Sequence, residues 1–138
     1  VIYGDGEQTR CFSYIDDCVS CLVKMGLDEK ITRQIINIGP DEEVITINEL
    51  AGMCANETGL NEPPIYYKSG RPQEVMHASC SSDKARKILQ YETKTSVAVA
   101  IKKTADFIRV NGVRKFDYHI PIEIVNDKTP KTWTEKTI

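Results

Sequence analysis

The sequence is short of several things, and each shortage removes a class of function. No apolar run approaches the roughly 20 residues a helix needs to cross a bilayer. No excess of positive charge exists either. Lys and Arg number 18 against 20 Asp and Glu, a net charge of −2, which leaves no electrostatic footprint for nucleic acid. Histidine occurs twice, as His77 and His119, with no cysteine or carboxylate at metal-ligand spacing and no nucleophile arranged beside either. The five cysteines, Cys11, Cys18, Cys21, Cys54 and Cys80, make an odd set. Cys18 and Cys21 have the C-x-x-C spacing but lack the second pair or nearby histidine of a zinc set, so they read as neighbours on one helix face. Three of the five fall on apolar helix faces, from which buried reduced thiols and a cytoplasmic location are expected. There is no initiator Met: Val1-Ile2-Tyr3 reads as the end of a strand, so a piece of a longer polypeptide is expected.

The 138 residues that are present suit one compact domain with a modest core, at 41% hydrophobic and 28% charged. Gly4-Asp5-Gly6 is a turn signal. Cys11 to Ile15 alternates like a short strand, and Asp16 or Asp17 is placed to cap the helix after it. Ile15, Val19, Leu22 and Val23 give that helix an apolar stripe. The run Ile35-Ile36-Asn37-Ile38, stopped by Gly39-Pro40, predicts a strand buried on both faces, as in a parallel sheet. Thr46-Ile47-Asn48-Glu49 is a capping box, with Ile47, Leu50, Ala51 and Cys54 facing inward and Gly59 as the stop.

After Pro63-Pro64 comes a short strand at Ile65-Tyr66-Tyr67. Ser81 or Ser82 starts a helix with Ala85, Ile88 and Leu89 inside. Lys84-Ala85-Arg86-Lys87 reads as its solvated face. Ser96 caps a longer helix with Val97, Ile101, Thr104 and Ile108 on one face and Gly112 at its end. The stretch 113–138 has no helical period. It alternates through Phe116, Tyr118, Ile120, Ile122 and Ile124, carries Trp133, and reads as an extended tail that packs on a partner surface. The fold class is α/β, with few short strands, about four helices, and no closed sheet of its own.

Two arginine motifs carry the chemistry. Arg10 follows the Gly4-Asp5-Gly6 turn and precedes Phe12 and Tyr14, which would shape a nucleotide pocket. Arg71 lies in Gly70-Arg71-Pro72, where the glycine frees the backbone and the proline holds it extended. Guanidinium groups donate in a planar fork that matches phosphate oxygens, so a pair of them could grip a diphosphate. Glu74 could accept hydrogen bonds from a ribose diol, or could equally be an ion-pair partner of Arg71. Asp16-Asp17 is explained by helix capping rather than by acid–base work.

Taken together, Tyr3-Gly4-Asp5-Gly6-x-Gln8-Thr9-Arg10-x-Phe12-x-Tyr14-Ile15-x-Asp17 resembles a stretch of the extended short-chain dehydrogenase/reductases that act on nucleotide sugars. Asn37-Ile38-Gly39, Ile47-x-Glu49-Leu50, Gly70-Arg71-Pro72, Asp83-x-x-x-Lys87-x-Leu89 and the Ser96-capped helix continue the likeness in order to about residue 110. The resemblance implies that residues 1–112 are the nucleotide-sugar-binding C-terminal domain of an NAD-dependent 4-epimerase or 4,6-dehydratase. It implies an N-terminal Rossmann domain that binds NAD, and a homodimer. Arg10 and Arg71 would bind the diphosphate of what is expected to be a UDP-sugar, Glu74 the uridine ribose, and Tyr14 or Phe12 the pocket wall. The 35–39 strand would join the edge of the Rossmann sheet.

The family's glycine-rich dinucleotide fingerprint and its Tyr-x-x-x-Lys pair have no counterpart here, so no catalytic, NAD-binding or metal-binding residue is assigned and the piece is expected to be inactive alone. In the whole enzyme the resemblance implies hydride transfer between C4 of the sugar and NAD. Two other readings stay open: a stand-alone phosphate-binding module, and an interaction domain without catalysis.

Overall fold

The structure, a computed structural model, describes residues 1–61, 65–114, 125–129 and 134. Among the described residues are five short strands and four helices, in the order β1 (Ile2–Tyr3), β2 (Thr9–Cys11), α1 (Ile15–Leu27), β3 (Val44–Thr46), α2 (Ile47–Thr58), β4 (Tyr67–Lys68), β5 (His77–Ala78), α3 (Asp83–Leu89) and α4 (Val97–Asn111). A single 3-10 turn over Glu29–Ile31 follows α1. β1 pairs in parallel with β4, Ile2 opposite Tyr67. A second sheet has the order β3-β2-β5, in which β2 is antiparallel to β3 (Arg10 opposite Ile45) and parallel to β5 (Arg10 opposite Ala78). Neither sheet closes, as expected of an α/β piece.

Local chemistry sets the helix ends. Thr46 accepts from the Glu49 backbone N–H while the Glu49 carboxylate accepts from the Thr46 N–H, the reciprocal capping box that starts α2. Gly59 ends that helix in the left-handed conformation, φ 75°. The Ser96 hydroxyl caps α4 at Val99 N–H, and Gly112 stops it.

The core gathers Cys21 of α1, Ile31, Ala85 and Leu89 of α3, and Tyr91, with Met25, Ile36 and Ile38 packed against it. Ala85 and Leu89 are completely buried. Ile88, expected inside with them, is exposed.

Several sequence expectations are corrected. The strand before α1 covers residues 9–11 rather than 11–15, because β3 and β5 flank it only there. Residues 35–39 form no strand. A strand needs a pairing edge, and none of the described strands lies beside this run. Ile36 and Ile38 turn into the core while Ile35 is 89% exposed. The α1 stripe of Ile15, Val19, Leu22 and Val23 faces outward. This helix is apolar on two sides, and among the described residues it is its Cys21–Met25 side that packs into the core, since α3 lies there.

Of the α2 stripe, Ile47, Leu50 and Ala51 are half-buried and Cys54 is exposed. On α4, Val97 is buried, Ile101 is half-buried, and Thr104 and Ile108 are exposed. Only Cys21 of the five free cysteines is fully buried; Cys11 and Cys18 are half-buried and Cys80 is exposed. Phe116, Tyr118, His119, Ile120, Ile122, Ile124, Trp133 and Pro63-Pro64 lie outside the described residues, and with them nearly all of the expected 113–138 tail.

Candidate functional site

Two glycines bring the arginine motifs together. Gly4 and Gly6 take positive φ (80° and 79°), a conformation that costs other residues, and so turn the chain tightly from β1 into β2. A Cβ on Gly4 would stand 4.0 Å from Gly70 Cα, so the two motifs touch backbone to backbone at their glycines. β2 then carries Arg10, and the loop between β4 and β5 carries Arg71 and Glu74. The parallel β2–β5 pairing closes that loop over Arg10.

Arg10, Arg71, Pro72, Glu74, Val75 and Ala78 line an open depression of about 390 Å³. Arg71 donates from Nε to Glu74 Oε2 at 3.1 Å and from Nη2 to Oε1 at 2.5 Å, a two-pronged pair along one edge of the guanidinium. Arg10 Nη2 stands 3.7 Å from the same Oε1. Arg10 Nη1 also donates to the carbonyls of Thr9 and Met76, at 2.7 and 3.4 Å, which fixes its plane. The Arg71 guanidinium lies 5.2 Å over the ring of buried Tyr3.

Glu74 is the most enclosed of the three, its side chain 13% exposed against 39% for Arg71. The Arg71 hydrogen bonds hold its carboxyl below the ordinary range, ahead of the opposing effect of burial, and Arg10 and a hydrogen bond from Gln8 add to the lowering. Gln8 is itself buried and donates to the Tyr3 carbonyl at 3.0 Å. Of the two readings left open for Glu74, the structure shows the ion pair.

Phe12 and Tyr14 do not join this depression. They line a separate apolar groove of about 320 Å³ between α2 and α4, with Leu50, Val97, Ile101 and Ile108. Lys103 of α4 sits 4.4 Å over the Tyr14 ring. His77 Nδ1 lies 3.0 Å from the Thr9 hydroxyl. Among the described residues no group of three or more His, Cys, Asp or Glu is placed to hold a metal ion.

Two further clusters escaped the sequence reading. Asp17 does not cap α1, whose N-cap position is Tyr14, with no side-chain cap bond. It accepts instead from the backbone N–H groups of Lys94 and Thr95, at 3.0 and 2.9 Å, and from the Thr95 hydroxyl, pinning α1 to the lead-in of α4. Burial pushes its carboxyl up, but those hydrogen bonds outweigh it and the net shift is downward. Arg86 is no free member of a solvated face. It bonds Asp41, Glu42 and Asp83 together. The i,i+3 spacing of Asp83 and Arg86 was the only part of this visible in sequence.

No family model matches the chain. Among curated proteins it is similar to a UDP-N-acetyl-alpha-D-glucosaminuronate decarboxylase of Bacillus cytotoxicus, 30% identical over 115 residues, covering 79% of this chain and 35% of that protein. Among solved structures it is similar to the UDP-glucuronic acid 4-epimerase of Bacillus cereus in complex with UDP-glucuronic acid and NAD (31% identity, TM-score 0.71). It is also similar to the UDP-glucose 4-epimerase of Thermotoga maritima with UDP-glucose (31% identity, TM-score 0.68). Each alignment covers 79% of this chain and 34% of the other. The fold matches the C-terminal portion of Rossmann-type epimerases. The likeness to UDP-sugar epimerases and decarboxylases of the extended short-chain dehydrogenase/reductase family is consistent, and the chain spans about a third of their length.

NAD is present in the Bacillus cereus structure. The residues of this chain do not fit it. Its eight glycines nowhere form the strand–Gly-x-x-Gly-x-x-Gly–helix cradle in which a backbone approaches a pyrophosphate. Gly4 and Gly6 serve a turn instead, and a Cβ on Gly6 would collide with the Asn48 side chain rather than fill a cofactor seat.

Proposed function

We propose that this chain supplies the substrate-binding share of an NAD-dependent nucleotide-sugar 4-epimerase or 4,6-dehydratase, holding the diphosphate of an NDP-sugar, UDP being the expected nucleotide. The observation that carries the reading is the convergence of Arg10 and Arg71 on one carboxylate oxygen, from motifs some sixty residues apart. Two fixed forks a few ångströms apart, already facing an anion, are the arrangement that neighbouring phosphates require.

Glu74 has lone pairs beyond those its arginines use, and these suit the hydroxyls of a ribose. Phe12 and Tyr14 back the site through the α2–α4 groove rather than by lining the depression. NAD, in this reading, is held by a Rossmann domain outside the chain, and residues 113–138 pack on that domain or on a second subunit of a homodimer. The outward apolar stripe of α1 and the 35–39 run, which belongs to no described strand, offer a face and an edge for it. The free cysteines support a cytoplasmic home.

The chain's contribution to chemistry is binding energy. Holding a remote diphosphate fixes the sugar without touching its reacting carbon. Calorimetric titration of UDP into the intact natural protein tests this; heat of binding that saturates supports it, and none at millimolar UDP refutes it. A stand-alone module would instead bind UDP equally well as the isolated 138 residues.

A further inference from the structure

Glu74 sits where a ligand anion is wanted, and that is the puzzle of the site. A carboxylate between two arginines cancels one of two positive charges, leaving a net charge of +1 on the Arg10–Glu74–Arg71 set. A side chain that merely filled the space until a ligand arrived would be free to swing out. This one is not. Arg71 grips it through Nε and Nη2, its side chain is only 13% exposed, and the Glu74 backbone N–H closes a turn onto the Arg71 carbonyl at 3.4 Å. The carboxylate therefore stays in the site when a ligand enters.

We infer that Glu74 is a selectivity residue, a fixed internal anion that makes the arginine pair a poor trap for bare phosphate and pyrophosphate. The inference rests on the proposed diphosphate reading. Its physical content is a difference between two kinds of ligand. A bare anion meets the arginines and also the repulsion of Glu74, with nothing to offset it. A phosphate ester of a polyol brings hydroxyl donors along with its charge. Those donors meet the unused lone pairs of the same carboxylate, so what repels one part of the ligand attracts the next. Arg71 is well built for this. Glu74 occupies its Nε–Nη2 edge, and no described contact engages Nη1, so its outer edge is open to a phosphate.

The test compares pyrophosphate and UDP binding to the intact natural protein, to Glu74→Gln and to Arg71→Ala. Glutamine keeps the shape of the side chain and removes the charge. The inference expects Glu74→Gln to bind pyrophosphate about fivefold more tightly or better, as removal of one close charge in a solvent-facing site allows. UDP affinity should not rise, so the preference for UDP over pyrophosphate narrows. Unchanged or weaker pyrophosphate binding in Glu74→Gln overturns the inference, as does an equal gain for both ligands. If Arg71→Ala still loses both ligands in that case, the diphosphate reading stands and only the role of Glu74 falls. If neither ligand binds the unaltered protein, both fall.

Discussion

Arg86 of α3 clasps Asp41, 45 positions earlier in the chain, through both of its terminal nitrogens, one of them at 3.1 Å from Oδ2. The backbone N–H of Ser82 donates to the same carboxylate at 2.8 Å, and the Ser82 hydroxyl donates to the Gly39 carbonyl. The start of α3 and the 39–42 loop are thus joined by charge at the surface and by a buried hydroxyl beneath it. Hydrogen bonds from Arg86, then from Ser82, hold the Asp41 carboxyl down to about 2, against 3.8 when unperturbed.

This joint sets an acid limit. A carboxylate whose folded value is depressed contributes its full stability above the unfolded value and loses it as pH falls through the folded one. The window here runs from 3.8 down to about 2. Melting temperatures of the unaltered chain and of Asp41→Asn should differ at pH 6, with the variant lower. The gap should close between pH 4 and pH 2. A gap that persists unchanged to pH 2 contradicts the assignment.

The proposed diphosphate clamp gives a binding prediction. Hydrogen bonds to charged groups contribute about 1.5–3 kcal/mol each, so under that proposal Arg71→Ala in the intact natural protein should raise KM for a nucleotide sugar about tenfold or more. Arg10→Ala should act in the same direction. NAD content, measured by absorbance after denaturation, should not change in either. Unaltered kinetics would sink the clamp.

Leu89 provides a packing test away from the site. It is wholly buried among Cys21, Ile31, Ala85 and Tyr91. Leu89→Ala should destabilise by about 2–5 kcal/mol, because the lost transfer energy and the cavity left behind add. Urea denaturation measures it. A cost under about 1 kcal/mol would mean that the α1–α3 core collapses to fill the space.

What could be read in advance follows how local each cause is. The capping box at Thr46 and Glu49, the Ser96 cap and the Gly59 stop are chemistry between neighbours, so their spacing alone announces them. The 35–39 run and the outward stripe of α1 are different. Ile35 and Val19 have the composition of buried residues, but strand state and burial are properties of a neighbour, and both residues stay exposed. Arg10 and Arg71 were legible as a pair because each sits in its own turn motif. The Glu74 contact with Arg71 was half-legible from its three-residue spacing. The Arg86–Asp41 clasp and the Asp17 tie to Lys94 and Thr95 were not, since nothing in either segment names its distant partner.

Gly6 links the turn to the helix behind the site, and its replacement can be dissected. Its φ of 79° is strained for any residue with a Cβ, and that Cβ would stand 2.0 Å from Asn48 Oδ1. Asn48 has work of its own. Its amide donates to the Asp5 carbonyl at 3.0 Å and to Glu7 at 2.7 Å, and its oxygen accepts from the Tyr67 hydroxyl at 3.0 Å. Backbone strain alone costs on the order of 1–3 kcal/mol, and the clash adds to it, so Gly6→Ala should destabilise by more than that strain. Asn48→Ala should also destabilise, through its lost hydrogen bonds. The two costs should not add, because without the Asn48 amide the new methyl has room and only the strain remains. A double-mutant cycle by urea denaturation should therefore find the pair less costly than the sum of its singles. Strict additivity would mean that the new methyl and the Asn48 amide fit together with every Asn48 hydrogen bond kept, so that the clash costs nothing.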